Sequence, residues 1–126
     1  MSVTIDSSAA LAVLLDESGA ETAIASMRGG AISSVNLCEV MTRSIEAGGD
    51  AGRAAALINR LGIKVHAFDA DQAAIAAALR PITRHLGLSL GDRACLALGG
   101  LLGGPILTAD RAWADLDIGV EIRLIR

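Results

Sequence analysis

Short apolar runs alternate along this chain with longer amphipathic stretches that close on glycine, a rhythm that predicts strands alternating with helices. Val3-Thr4-Ile5 reads as a strand ending at Asp6, after which Ser7 and Ser8 can cap a helix over Ala9–Asp16. A second helix is predicted over Ala20–Arg28, closed by Gly29-Gly30. Ala31–Ser33 reads as a brief buried strand, and Ser34 caps a helix running to Ala47. Gly48-Gly49 stops that helix, and Asp50 opens another that reaches Leu61 and ends at Gly62. In the strand Ile63–Phe68, Val65 and Ala67 alternate against Lys64 and His66. Asp69 or Asp71 starts an Ala-rich helix to Leu79, with Pro81 near its end. Ser89 caps a helix from Leu90 to about Leu102. The Gly99-Gly100 and Gly103-Gly104 pairs are expected as turn residues, leading through Pro105 into strand Ile106–Thr108. A helical turn follows Asp110, and Val120–Ile125 is the last strand.

Strands that alternate with helices from end to end predict a mainly parallel sheet with helices on both faces, a three-layer α/β/α sandwich. No repeat, low-complexity tract or linker interrupts the pattern, so residues 1–126 are expected to form a single domain. The chain is 52% hydrophobic, which excludes intrinsic disorder. Phe68 and Trp113 are its only aromatic residues, too few for a base-stacking platform; Trp113 is expected to pack the last loop against the core. The longest uncharged stretch, Ala94–Ala109, is shorter than the ~18 residues a membrane helix needs. With no basic leader at the start, a cytoplasmic protein with no membrane partner is expected. Cys38 and Cys95 form no CxxC pair and are expected as buried thiols.

A net charge of −3 argues against a nucleic-acid-coating surface, unless some carboxylates hold a metal. In parallel sheets ligands bind beyond the carboxyl ends of the strands. Asp6 closes the first strand and Asp110 follows Ile106–Thr108, so both belong to that edge. Glu39 lies early in the helix that leaves the same edge, and Asp92 in the first turn of its own helix. Four converging carboxylates repel one another unless cations bind, and hard oxygen ligands select Mg²⁺ or Mn²⁺. Each acid also has a local alternative: Asp6 and Asp110 as helix caps, Asp92 as a partner of its helix dipole.

Four segments resemble motifs of the PIN-domain family, most closely the VapC-type toxins of bacterial toxin–antitoxin pairs. They are Val3-Thr4-Ile5-Asp6-Ser7-Ser8-Ala9, Ser34-Val35-Asn36-Leu37-Cys38-Glu39-Val40, Leu88-Ser89-Leu90-Gly91-Asp92-Arg93-Ala94-Cys95-Leu96-Ala97 and Leu107-Thr108-Ala109-Asp110-Arg111-Ala112-Trp113. They occur in the family's order over the whole chain. The resemblance implies a small parallel-sheet nuclease fold, a Mg²⁺- or Mn²⁺-dependent endoribonuclease activity on RNA, and inhibition by a cognate antitoxin. Asp6, Glu39, Asp92 and Asp110 match the family's metal-binding acids, with Asp6 and Asp92 preferred as direct ligands. Asp115 is the nearest match to a further acid that some relatives use, and a solvated turn residue otherwise.

Ser8 and Thr108 are candidates to orient a ligand or water, and Asn36, one helical turn before Glu39, to brace it. Arg93 and Arg111 are expected to point to solvent rather than to substrate phosphate. Apolar residues in Ala9–Met27 and Val35–Leu61 exceed what one helical face needs, which points to a homodimer surface and a seat for an antitoxin helix. Two rival readings remain at this stage. One is a non-catalytic PIN-like module that binds RNA or protein. The other is an aspartyl-phosphate receiver or phosphatase with Asp6 as nucleophile, which needs a nearby lysine that Lys64 is poorly placed to supply.

Overall fold

The apolar runs form a sheet and the amphipathic stretches between them form helices, described over residues 2–126 by a computed structural model. In chain order these are β1 (Thr4–Ile5), α1 (Ser7–Leu14), α2 (Ala20–Met27), β2 (Ala31–Ser33), α3 (Ser34–Glu46), α4 (Ala51–Arg60) and β3 (Lys64–His66). They are followed by α5 (Ala70–Thr83), α6 (Leu90–Leu102), β4 (Ile106–Thr108) and β5 (Ile122–Leu124). Short 3-10 turns cover Arg84–Leu86 and Arg111–Asp115.

The strands lie in the order β3-β2-β1-β4-β5, with every neighbouring pair parallel. Successive residues of a strand point to opposite faces, so β4 feeds two cores. Leu107 joins Ile5, Met27, Ile32, Val40 and Ile58 beneath α1 to α4. Ile106 joins Leu88, Cys95, Leu96 and Trp113 beneath α5, α6 and the Arg111–Asp115 turn. The α/β/α sandwich expected from the sequence is the one formed.

Chain direction across the sheet reverses at β1: β2 and β3 continue to one side, β4 and β5 to the other. A crevice at such a reversal, outside the carboxyl ends of the strands, is where parallel α/β sheets place ligands. Here those ends carry Asp6 beyond β1 and Thr108-Ala109-Asp110 beyond β4.

Several local expectations change in the folded chain. Ser7 and Ser8 lie inside α1, whose N-cap is Asp6, and Ser33 rather than Ser34 caps α3 by accepting from Val35 N. The Ser34 hydroxyl instead accepts from Phe68 N at 3.1 Å, tying α3 to the chain beyond β3. β3 is an edge strand, so Val65 has no covering layer and is 40% exposed. Gly99 and Gly100 are interior to α6. A Cβ at Gly99 would overlap the Ile106 side chain, so this glycine sets how closely α6 approaches β4. Cys95 is buried as expected, but Cys38 is exposed, because α3 turns Asn36, Val40 and Ser44 inward.

Candidate active site

Asp6 is reached directly from β1: its backbone is extended and α1 begins at the next residue, which fixes the side chain at the sheet edge. It is buried, at 4% exposure. Its Oδ2 accepts from Ser8 Oγ at 2.5 Å and from Thr108 Oγ1 at 2.8 Å. The Ser8 backbone N–H also donates to this carboxyl. Burial pushes the Asp6 carboxyl from 3.8 up to about 6. The Ser8 and Thr108 bonds pull the other way, and the charge of Asp92 adds to the rise. The same hydroxyls organise the neighbouring loop, since Ser8 Oγ accepts from Ala109 N at 2.9 Å and Thr108 Oγ1 from Asp110 N at 3.0 Å. Both residues expected to orient a group at the site thus hold Asp6.

Glu39 is held just as firmly. Its Oε1 accepts from Ser7 Oγ and, at 3.1 Å, from Asn36 Nδ2, the brace expected from their spacing on one helical face. Oε2 has no recorded donor among the described residues. The carboxylate lies against Gly91 in the first turn of α6, where any Cβ would overlap it.

Asp92 and Asp110 are satisfied locally. Asp92 Oδ2 accepts from Ser89 N at 2.9 Å while Ser89 Oγ accepts from Asp92 N, a reciprocal capping box. Asp110 is exposed, and its Oδ1 accepts from Ala112 N at 3.0 Å to cap the following 3-10 turn. The Cys95 thiol is pushed well above its ordinary range by burial first, and then by the negative charges of Asp6, Asp92 and Glu39. Asp110 joins Asp6 through Thr108, whose hydroxyl contacts the Asp110 backbone and the Asp6 carboxyl. Asp115 is exposed on the last 3-10 turn and is not drawn into these contacts.

No ion pair among the described residues includes any of the four acids. Lys64 opens β3, at the far end of the parallel sheet from Asp6, which removes the lysine an aspartyl-phosphate mechanism needs. Arg93 corrects a sequence expectation: its guanidinium donates to Ala76 O at 3.1 Å and ties α6 to α5 instead of pointing to solvent. Arg111 is exposed as expected, and Trp113 is fully buried in the core.

The donor set suits a hard divalent cation, being all oxygen and without a competing cationic side chain. Among the described residues no three His, Cys, Asp or Glu side chains already form a metal cage. The four carboxylates expected to converge are thus not drawn together into a formed cage among the described residues. The oxygen-only chemistry of these side chains is of the kind that suits such an ion.

Sequence reasoning missed Ser7 and Gly91. Ser7 was read only as a cap, and Gly91 drew no attention although a glycine early in a helix, away from any turn, signals a close approach.

A PIN domain family model matches residues 3–119. Ribonuclease VapC42 of Mycobacterium tuberculosis is 35% identical over 129 aligned positions, spanning 90% of this chain and 95% of that protein. VapC ribonuclease Mb2780c of Mycobacterium bovis matches with the same identity and coverage. Among solved structures, a toxin–antitoxin complex from Klebsiella pneumoniae shares the fold with a TM-score of 0.77 at 20% identity, covering 99% of this chain and 98% of that one. VapBC2 from Rickettsia felis, bound to a DNA fragment from its promoter, does so with a TM-score of 0.72 at 14% identity, covering 98% of each chain. The five-stranded parallel sheet and the family match over residues 3–119 define a PIN domain. The chain belongs to the PIN-domain family, on its VapC-type branch.

Proposed function

We propose that this protein is an endoribonuclease toxin that hydrolyses RNA phosphodiester bonds with Mg²⁺ or Mn²⁺ and is held in check by a cognate antitoxin. The observation that carries this reading is that the Asn36 amide ties Glu39 to Ser7, the neighbour of Asp6, and to Gly91, the neighbour of Asp92, with none of these acids in an ion pair among the described residues. Whole-length relatives named as ribonucleases and neighbours titled as toxin–antitoxin complexes support the same reading. Residues 1–126 act in it as one nuclease domain.

A bound divalent ion would supply positive charge that polarises the scissile phosphate and acidifies a water. Asp6 and Asp92 would hold it, with Glu39 and Asp110 contributing directly or through water. Ser8 and Thr108 hold Asp6 Oδ2, and Ser7 and Asn36 hold Glu39 Oε1, so both carboxylates are oriented before any ligand arrives. Asp115 is left as a reserve acid on the adjoining turn.

The antitoxin is assigned to the groove between α1, α2 and α4, about 490 Å³, lined by Val13, Leu14, Ile24 and Leu57 with Arg28, Arg53 and Arg60 beside them. None of these arginines is in an ion pair among the described residues, so a helix with an apolar stripe and acidic flanks complements the groove. The outer surface of α3, where Ile45 is 58% exposed, is left for a second copy of the chain.

The test is RNA cleavage by the purified protein with Mg²⁺ or Mn²⁺, with each ion plus EDTA, and after co-expression with the adjacent open reading frame. Cleavage that needs the metal and is suppressed by the neighbour is expected. Cleavage indifferent to EDTA, or none with either ion, overturns the reading.

A further inference from the structure

We infer that Asn36 is the positioning residue that sets the acid motifs of the first strand, the third helix and the sixth helix in register. The inference rests on the metal-dependent reading of the site. Asn36 is fully buried, at 0% exposure. Its Nδ2 lies 3.0 Å from Ser7 Oγ, 3.1 Å from Glu39 Oε1 and 3.0 Å from Gly91 O. Ser7 is the residue after Asp6 and Gly91 the residue before Asp92. One amide therefore touches Glu39 itself and the chain neighbours of two further acids, which come from segments otherwise distant in sequence.

The stoichiometry of donors explains why an amide is needed. Two N–H groups face three acceptors, and Ser7 Oγ and Glu39 Oε1 are bonded to each other. One N–H is shared by that pair, and the other is committed to Gly91 O. Any carboxylate, hydroxyl or thiol at this position offers fewer donors, and an apolar side chain offers none. The amide pays for this with its own carbonyl, since Asn36 Oδ1 is buried without a partner among the described residues. A buried amide with one end unsatisfied is explained if the donor end is what the fold retains it for.

The opposite surface of the joint is equally specific. Gly91 accepts from Asn36 through its carbonyl, and its missing Cβ leaves room for the Glu39 carboxylate. The first turn of α6, which carries Asp92, is thus seated on α3 through a hydrogen bond and a close contact that both involve the same residue. Asn36 does not need to touch substrate; it acts by fixing the spacing between Glu39 and the turn that bears Asp92.

The experiment measures Mn²⁺ binding to the cation-free protein by the electron paramagnetic resonance of the unbound ion, alongside thermal melting, for Asn36→Ala, Glu39→Ala, the double variant and Ser7→Ala. Asn36→Ala should weaken Mn²⁺ binding by roughly 10- to 100-fold, the range for residues that orient metal ligands. Ser7→Ala, which removes only a hydroxyl, should weaken it by less and keeps the test open if Asn36→Ala does not fold. In the double variant the two losses should fall short of multiplying by at least about threefold, because Asn36 has then lost its main client. A merely structural role would lower the melting temperature and leave that coupling absent. Unchanged Mn²⁺ binding in folded Asn36→Ala, or, should that variant not fold, in Ser7→Ala, overturns the inference, as do fully multiplicative losses, while wild-type protein that binds no Mn²⁺ overturns the metal reading beneath it.

Discussion

Asp6 and Glu39 are gripped by side chains, in part from far along the chain, whereas Asp92 and Asp110 are gripped by the backbone of their own helical starts. Asp6 takes hydrogen bonds from Ser8 and, across 102 residues of sequence, Thr108. Glu39 takes one from Ser7, 32 residues away. Asp92 and Asp110 instead accept from backbone N–H groups three and two residues off. The first pair is held from several segments of the chain, and Asp6 is costly to keep charged; the second pair has a local reason to exist whatever the site does. The difference teaches that a cap and a ligand are not exclusive readings of one carboxylate. Each cap uses one oxygen, and an Asp has two.

The comparison is broken most sharply at Asp6. Asp6→Asn should reduce RNA cleavage by about 10³-fold or more, the several kcal/mol that metal stabilisation of developing charge is worth. The same substitution should stabilise the cation-free protein near neutral pH. In the folded chain the Asp6 carboxyl ionises at about 6, against 3.8 when unperturbed. Above that range folding carries the cost of a buried charge, and the cost fades as pH falls through about 6 towards 3.8. The gap corresponds to about 3 kcal/mol. Asparagine keeps an acceptor for Ser8 and Thr108 and carries no charge. Asp6→Asn should therefore melt higher than wild type near pH ~7.5 and converge with it near pH ~4. Excess Mn²⁺ at the higher pH should raise the wild type alone. Identical melting curves for the two proteins across this range would show that no charge is buried at Asp6.

The capped pair gives a smaller effect and a cleaner separation of roles. Asparagine caps a helix as well as aspartate does, so Asp110→Asn should shift stability by no more than a few tenths of a kcal/mol. Cleavage should still fall by roughly 10- to 100-fold if Asp110 reaches the ion directly or through water. Steady-state cleavage rates and melting temperatures measured on the same preparation decide the matter. A variant with full activity would make Asp110 a cap and nothing more.

How much of this was legible beforehand divides along the same line. Strand Ala31–Ser33, strand Ile106–Thr108 and the helix from Leu90 to Leu102 coincide with their expected limits, because capping serines, helix-ending glycines and short apolar runs are local signals. Asp6, Asp92 and Asp110 could be named because each ends a strand or opens a helix, and Glu39 because its helix face and the motif Ser34–Val40 pointed to it. Their partners were less legible. Ser7 looked like a cap because a serine after a strand usually is one, and only the tertiary arrangement turns it towards Glu39. Cys38 looked buried because Val35, Leu37, Cys38, Val40 and Met41 give α3 apolar residues on more than one face. Which face turns inward is decided by Asn36 and Ser44, polar residues that hydropathy counts against burial. β3 looked like a half-buried strand, and its position at the sheet edge was not encoded locally.

Gly91 gives the smallest expected effect and the narrowest test of how the two pairs of acids meet. Its backbone is helical, and alanine is favoured over glycine in a helix by about 1 kcal/mol, so helix propensity alone predicts a more stable Gly91→Ala. The added Cβ, however, would overlap the Glu39 carboxylate, the mobile end of a side chain that can swing aside. Swinging aside removes Glu39 from Ser7 and Asn36, leaving the amide with one client fewer. The propensity gain and the lost hydrogen bonds are of similar size, so the melting temperature should move by only a few degrees. Cleavage should fall by roughly 10-fold, since the acid is displaced and not deleted. A Gly91→Ala protein with wild-type cleavage would mean that the contact between α3 and α6 tolerates a methyl group, and that Glu39 and the capped acids work without fixed spacing.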